Sequence, residues 1–380
     1  MSALSRRAFI GGGTALAASA ALPRVAFAGL GTRPPLLIQV VLRGAVDTLS
    51  AVVPIAGPER VFYEAARPGS AVAADRLLRL ADDVGLHPAG VALHRQFTAG
   101  RLAVMPAVGM KAVDTGWFAR AWSDLPAAAS APYLGALAVA EREILALDAS
   151  ARDRIALHRR SPSAPTDLGA DAFEGDLRAA LEALHAGAEG HLGRQTLAGL
   201  DISEWLDADP EPRPAGGVRY PAGDLGEGLA HVARAARSDL GLAFAAVEAK
   251  GFDGTGSFAT EFRNLAESVD AVWRELTASG DAERTVILIQ SETGRSIAED
   301  RFGTPAVGGA SAAWLLGDRV LGGLIGGWPS LGRPAAAGGL RPRFDHRRIL
   351  VELLGRHLGH PAPASIFPDL ARPRPLGLLR

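Results

Sequence analysis

The chain contains no cysteine. That absence removes disulfides, thiolate metal sites and a cysteine nucleophile in one step. Lysine is nearly missing too. Of 40 basic residues only Lys111 and Lys250 are lysines, which leaves few candidates for Schiff-base chemistry. Neither sign of charge is in excess: 41 acids stand against the 40 basic residues, for a formal net charge of −1. Nucleic-acid binding needs a basic surface that displaces counterions, and this balance argues against it. No segment after the first thirty residues reaches the roughly 20 apolar residues that a membrane-spanning helix needs. Repeats of about 20–50 residues are absent. So are a Gly-x-Ser-x-Gly elbow, a phosphate-loop lysine and a dinucleotide-binding glycine fingerprint after a first strand.

What is present describes a globular protein. The chain has 380 residues, 48% of them hydrophobic and 21% charged, with a mean hydropathy of +0.13. That is ample for a large buried core. Residues 1–28 read as an export leader. Ser5-Arg6-Arg7-Ala8-Phe9 precedes an apolar run rich in Ala and Gly, and Ala26-Phe27-Ala28 supplies a small-x-small cleavage pattern. The paired arginines resemble a twin-arginine signal. The expectation is a periplasmic or extracellular protein with a single domain over residues 29–380.

Within that domain, short continuous apolar runs predict buried strands over Leu36–Leu42, Leu102–Val108, 242–247 and 285–290. Residues 312–316 and 320–325 read as a late strand pair joined across Gly317-Asp318-Arg319. Helical patterns cover 133–147, 172–197, 225–238, Phe258–Ser279 and 346–358. In Phe258–Ser279, the residues Phe262, Leu265, Val269, Val272, Trp273 and Leu276 form one apolar face. Buried strands alternating with amphipathic helices predict an α/β layered domain. The Pro- and Gly-rich stretches 161–166 and 207–223 read as surface loops, available as partner surfaces.

In open α/β sheets the ligand crevice lies beyond the carboxyl ends of the strands. Three acids fall at such positions: Asp47 after the first strand, Asp253 in Gly251-Phe252-Asp253-Gly254-Thr255, and Glu292 in Ser291-Glu292-Thr293-Gly294-Arg295. Carboxylates converging from distant parts of a chain suit a hard cation, Mg²⁺ or Ca²⁺. Equally, Asp47 suits a helix N-cap and Glu292 an ion pair with Arg295. None of the nine histidines has a strong metal-ligand spacing. His87, before Pro88, reads as structural at a helix start. His357 and His360 read as contacts to a helix C-terminus. Asp345 reads as an N-cap ahead of His346. The glycines at 308–309 and 322–327 read as permitting tight turns and close packing.

Taken in order, these segments resemble the exported bacterial family known as domain of unknown function 1501, which is similar in fold to sulfatases and alkaline phosphatases. The resemblance rests on Arg43-Gly44-Ala45-Val46-Asp47-Thr48-Leu49, Gly85-Leu86-His87-Pro88, Gly251-Phe252-Asp253-Gly254-Thr255, Ser291-Glu292-Thr293-Gly294-Arg295-Ser296 and Gly327-Trp328-Pro329. It implies a mostly parallel central sheet flanked by helices. It also implies a metal site from which this chain departs. Thr255 stands where the family has His, Pro305 and Ala306 where it has Asp and His, and Gly116-Trp117-Phe118-Ala119 where it has a segment with His and Asp. Pro and Ala have no donor side chain, and Trp is a hydrogen-bond donor only.

The resemblance therefore implies a protein that has lost most metal ligands and serves as a binding or assembly protein, with an unknown protein or cell-envelope partner and no cofactor. The alternative is a hydrolase of phosphate or sulfate esters holding one Mg²⁺ or Ca²⁺ at Asp47, Asp253 and Glu292, with Arg43 or Arg295 stabilising oxyanion charge.

Overall fold

The computed structural model describes residues 24–27, 33–109, 143–146, 213–238, 241–254, 256–291, 293–332, 338–360, 370 and 374–380. In chain order the strands are β1 (Arg24–Phe27), β2 (Leu36–Leu42), β3 (Val52–Pro54), β4 (Leu78–Arg79), β5 (Val84–Leu86), β6 (Leu102–Val108), β7 (Glu143–Ala146), β8 (Leu242–Ala249), β9 (Thr285–Ser291), β10 (Arg295–Glu299), β11 (Pro305–Val307), β12 (Ser311–Leu316) and β13 (Gly323–Leu324). The helices are α1 (Thr48–Ala51), α2 (Gly57–Ala66), α3 (Val91–Thr98), α4 (Asp224–Arg237), α5 (Phe258–Ser279) and α6 (His346–Glu352).

Eight strands form the central sheet in the order β13-β6-β12-β9-β2-β8-β1-β7. Its middle is parallel: β2 pairs in parallel with both β8 and β9. Only β12 and β1 run against the rest. β1 lies inside the stretch read as a leader. Every residue of β2, β6 and β9 is buried. This is why their sequences are mostly apolar instead of alternating, with Gln39, Thr285, Gln290 and Ser291 as buried polar exceptions.

Alternate residues of each strand feed two cores. Ile38, Val40, Ile287, Ile289 and Trp314 pack under α3, α4 and α5. Leu37, Val286, Leu288, Ala313 and Leu315 pack against α6 and the C-terminal Leu378 and Leu379. The sheet is thus flanked by helices on both faces. In α5 the apolar stripe expected from spacing is buried throughout. Each such Leu, Val or Phe contributes roughly 1.5–3 kcal/mol by leaving water. The helix stops at Gly280, whose φ of 79° suits glycine alone and lets its N–H reach the carbonyls of Leu276 and Thr277.

At the amino ends of the central strands, Arg284 ties three segments together. Its guanidinium donates to the carbonyls of Pro34 at 2.7 Å, Leu242 at 3.1 Å and Ala236 at 2.8 Å, and to the buried carboxylate of Asp281 at 2.8 Å. His357 works nearby: its Nε2 lies 2.9 Å from the carbonyl of Leu36. The ring therefore ties the end of the last helix to the start of β2. A π-helical turn, Leu353–His357, follows α6.

Two expectations are corrected. Residues 312–316 and 320–325 do not form a hairpin. β12 sits between β9 and β6, and β13 pairs in parallel with β6 on its far side. The pairing is set by a non-local contact, with Gly322 packed so closely on the Gly100 carbonyl that a Cβ would stand 2.5 Å from it. Within 133–147, read as helical, Glu143–Ala146 is a strand paired with β1. The helical pattern at 172–197 and the loop 161–166 lie outside the described residues, as does the first part of 207–223.

Candidate functional site

The carboxyl ends of β2, β8 and β9 lie side by side, because these strands are parallel neighbours. The loops that leave them carry the acids found in the sequence. The loop after β2 takes an unusual path. Gly44 has φ 102° and Ala45 has φ 70°, the one non-glycine residue with positive φ among the described residues. Such a conformation persists only where the surroundings hold it.

Here they do. Ser291 Oγ, at the end of β9, donates to the carbonyl of Leu42 at 3.0 Å and accepts from the Val46 N–H at 3.1 Å. Arg295 is buried and donates to four carbonyls: Ala45 at 2.8 Å, Gly44 at 2.9 Å, Pro305 at 2.9 Å and Phe252 at 3.2 Å. A Cβ on Gly44 would stand 2.5 Å from the backbone nitrogen of Asp253, so the loops after β2 and β8 touch backbone to backbone.

Asp47 is engaged by Arg67, whose side chain is 1% exposed. The guanidinium donates to both carboxylate oxygens, at 2.7 and 3.0 Å, and Ser50 Oγ donates to one of them at 2.6 Å. Arg67 also donates to the carbonyls of Ser296 and Ile297. This clamps the β10–β11 hairpin to the first loop. Glu299 adds to the clamp by accepting from the Gly69 N–H and Ser70 Oγ. Asp47 occupies the N-cap position of α1, yet its side chain makes no capping bond; its oxygens serve the ion pair instead.

The remaining candidates fall as follows. Asp253 is exposed. Arg43 Nε lies 3.5 Å from Glu248, and its backbone N–H donates to Ala249. Glu292 and Thr255 lie outside the described residues, as does the segment 116–119. Pro305 begins β11 and gives its carbonyl to Arg295. Among the described residues, no group of three or more His, Asp or Glu side chains is placed to hold a metal ion.

Gly309, and Gly294 opposite it, permit close packing. A Cβ on Gly294 would meet the Ala310 carbonyl at 1.9 Å, and one on Gly309 would meet Gly339 at 2.5 Å. Nothing in the sequence marks Arg67 as part of the site. It stands at the end of α2 before Pro68, twenty residues from its partner, with no local pattern to mark it.

Beside these loops opens a cleft of about 260 Å³, bounded by Glu248, Lys250 and Phe252 at the end of β8, Asp224 of α4, and Glu261 and Asn264 of α5. Asp224 and Glu261 lie in the first turns of their helices, where the helix dipole favours an acid. Lys250 is 3.4 Å from Asp224.

His87 is structural, as read. Its Nδ1 accepts from the Ala89 N–H at 3.1 Å, and its ring packs edge-on against Phe258 and Phe262. Burial, with Arg76 and Arg263 nearby, lowers its pKa, which keeps Nδ1 free of a proton and able to accept. Asp345 caps α6 by accepting from the Arg347 N–H at 2.9 Å. His346 behind it is pushed down to about 4 by burial.

No protein-family model matches the chain, and no curated protein matches it. Among the described residues no helix is long and apolar enough to cross a membrane.

Proposed function

We propose that the chain is an exported, sulfatase-like protein whose ancestral metal chemistry has lapsed, and that it works as a binding or assembly protein in the periplasm or at the cell surface. The observation that carries this reading is the bidentate Asp47–Arg67 pair. A buried guanidinium on both oxygens of a would-be ligand sets a fixed positive charge where a cation would have to approach. Asp47, so held, fits a divalent ion poorly. Arg295, the candidate for oxyanion stabilisation, spends its donors on loop carbonyls. In this reading the charged residues of the crevice are its framework, and the loops they shape form the binding surface.

The ester-hydrolase alternative needs a metal held by Asp253 and Glu292 with Asp47 released from Arg67. Elemental analysis of the full chain, purified from its own export route, separates the two. The proposal expects no Mg or Ca above trace and a melting temperature unmoved by either ion. One equivalent of bound metal, with ester cleavage lost in Asp253→Ala, would overturn it. Sequencing the amino terminus of the same material tests the leader. Cleavage after Ala28 would take β1 out of the sheet and leave β8 at its edge.

A further inference from the structure

On the α6 side of the sheet, just below the carboxyl edge, lies a polar group of side chains that the crevice does not use. Strand parity decides which residues face it. Val286 and Leu288 pack toward α6 while Ile287 and Ile289 pack the other way, so Gln290 faces α6. By the same alternation Gln39 follows Leu37, and Ser311 goes with Ala313. His346 precedes Ile349 and Leu350 by three and four residues, and these pack on that face, which places it on the same helix stripe. All four polar residues are 4% exposed or less.

Register brings three of them together. Gln290 stands opposite Val41 of β2 and Ala313 of β12. Gln39 and Ser311 are each two residues from those positions and are thus its diagonal neighbours on one face. Ala313, opposite the glutamine, is small.

Gln290 itself is anomalous. Both its Nε2 and its Oε1 are buried without a hydrogen-bond partner. A buried amide in that state forfeits its hydration on two atoms at once, and native interiors seldom tolerate it without a bridging molecule. An apolar residue would serve β9 better if the position were only packing.

We infer that Gln290 anchors an ordered internal water between β9 and α6, forming a small hydrated site beneath the crevice. The chemistry selects water. The amide offers donors and an acceptor but no charge, Gln39 and Ser311 are neutral, and the site calls for a molecule that both gives and takes hydrogen bonds. Burial keeps His346 neutral at pH 7, so it offers no charge to draw in an anion. Ser291, which fixes the strained loop, is the next residue along the strand. The water therefore supports the floor of the crevice.

A crystal structure of the full chain at a resolution that shows ordered solvent, with Gln290→Met as the near-isosteric apolar control, tests this. Expected is a water within hydrogen-bond distance of the Gln290 amide, absent in the variant, and a melting temperature lowered in the variant by about 2 °C or more. A dry amide in the wild type, or a variant that melts at or above the wild type, would refute it. The wild-type density decides the matter even if Gln290→Met does not fold.

Discussion

Arg284 and Arg295 make the same kind of bond set at opposite ends of one sheet, yet the ends differ in what they hold. At the amino end, Arg284 joins three carbonyls and the carboxylate of Asp281, which is 0% exposed. At the carboxyl end, Arg295 joins four carbonyls and, among the described residues, has no carboxylate partner. One of those carbonyls belongs to Ala45, in a backbone conformation that non-glycine residues avoid. The amino end is a seam closed by ordinary means. The carboxyl end holds a loop in a shape it would not take alone. Strain kept in place by a dedicated arginine, a serine and an ion pair sets apart the end of the sheet that carries the candidate site.

Removing each arginine sharpens that contrast. Arg284→Ala leaves the buried Asp281 carboxylate with the Ser279 hydroxyl at 2.7 Å and, as its counter-charge, the longer 3.5 Å contact to Arg33, and is expected to cost about 3–5 kcal/mol in denaturant unfolding. Arg295→Ala strands carbonyls but no charge, and about 3 kcal/mol is expected. Lysine should restore part of the loss at 284, where an ammonium can still meet Asp281. It should restore little at 295, where a single ammonium cannot span the carbonyls of separate loops. Equal rescue at both sites would erase the distinction.

Acid should separate the ends next. His346 stands at the carboxyl edge, where Phe344 bridges to Val108. Its folded pKa of about 4 lies below the ordinary histidine value of 6.5. The unfolded chain therefore binds the extra proton first. Stability is fully present above pH 6.5 and declines as pH falls toward 4, by on the order of 2–3 kcal/mol. His346→Asn should flatten that part of the profile. Asp345, whose pKa is lowered by its bonds to Arg347 despite burial, acts only at still lower pH. A slope unchanged in His346→Asn would assign it elsewhere.

The smallest effect tests the strain itself. Ala45→Gly should stabilise by about 0.5–1 kcal/mol, because glycine accepts the positive φ. Gly280→Ala at the other end, φ 79° with open space around it, should destabilise by about 1 kcal/mol. Thermal unfolding of the pair reads both signs.

The fold was legible wherever burial was complete on both faces. Leu36–Leu42 is apolar but for Gln39, Leu102–Val108 is apolar throughout, and the α5 stripe follows helical spacing, so local sequence sufficed. It failed where a partner far along the chain decided the outcome. The placement of β13 depends on Gly322 meeting Gly100. The acids at the strand ends could be found because topology dictates where such loops go, but their partners could not. Asp47 looks the same in sequence whether it faces a cation or a guanidinium, and Arg67 carries no mark of the bond it makes. Gln290 was hidden for a related reason: a polar residue ending an apolar strand reads as the edge of the core, and only the paired sheet shows that it is inside.

The central claim is that Asp47 belongs to Arg67. A double-mutant cycle with Asp47→Asn and Arg67→Met, followed by urea unfolding with and without chelator, measures it directly. The account predicts a coupling of about 2–3 kcal/mol that chelator leaves unchanged. A coupling below about 0.5 kcal/mol, with wild-type stability that falls when chelator is added, would contradict it.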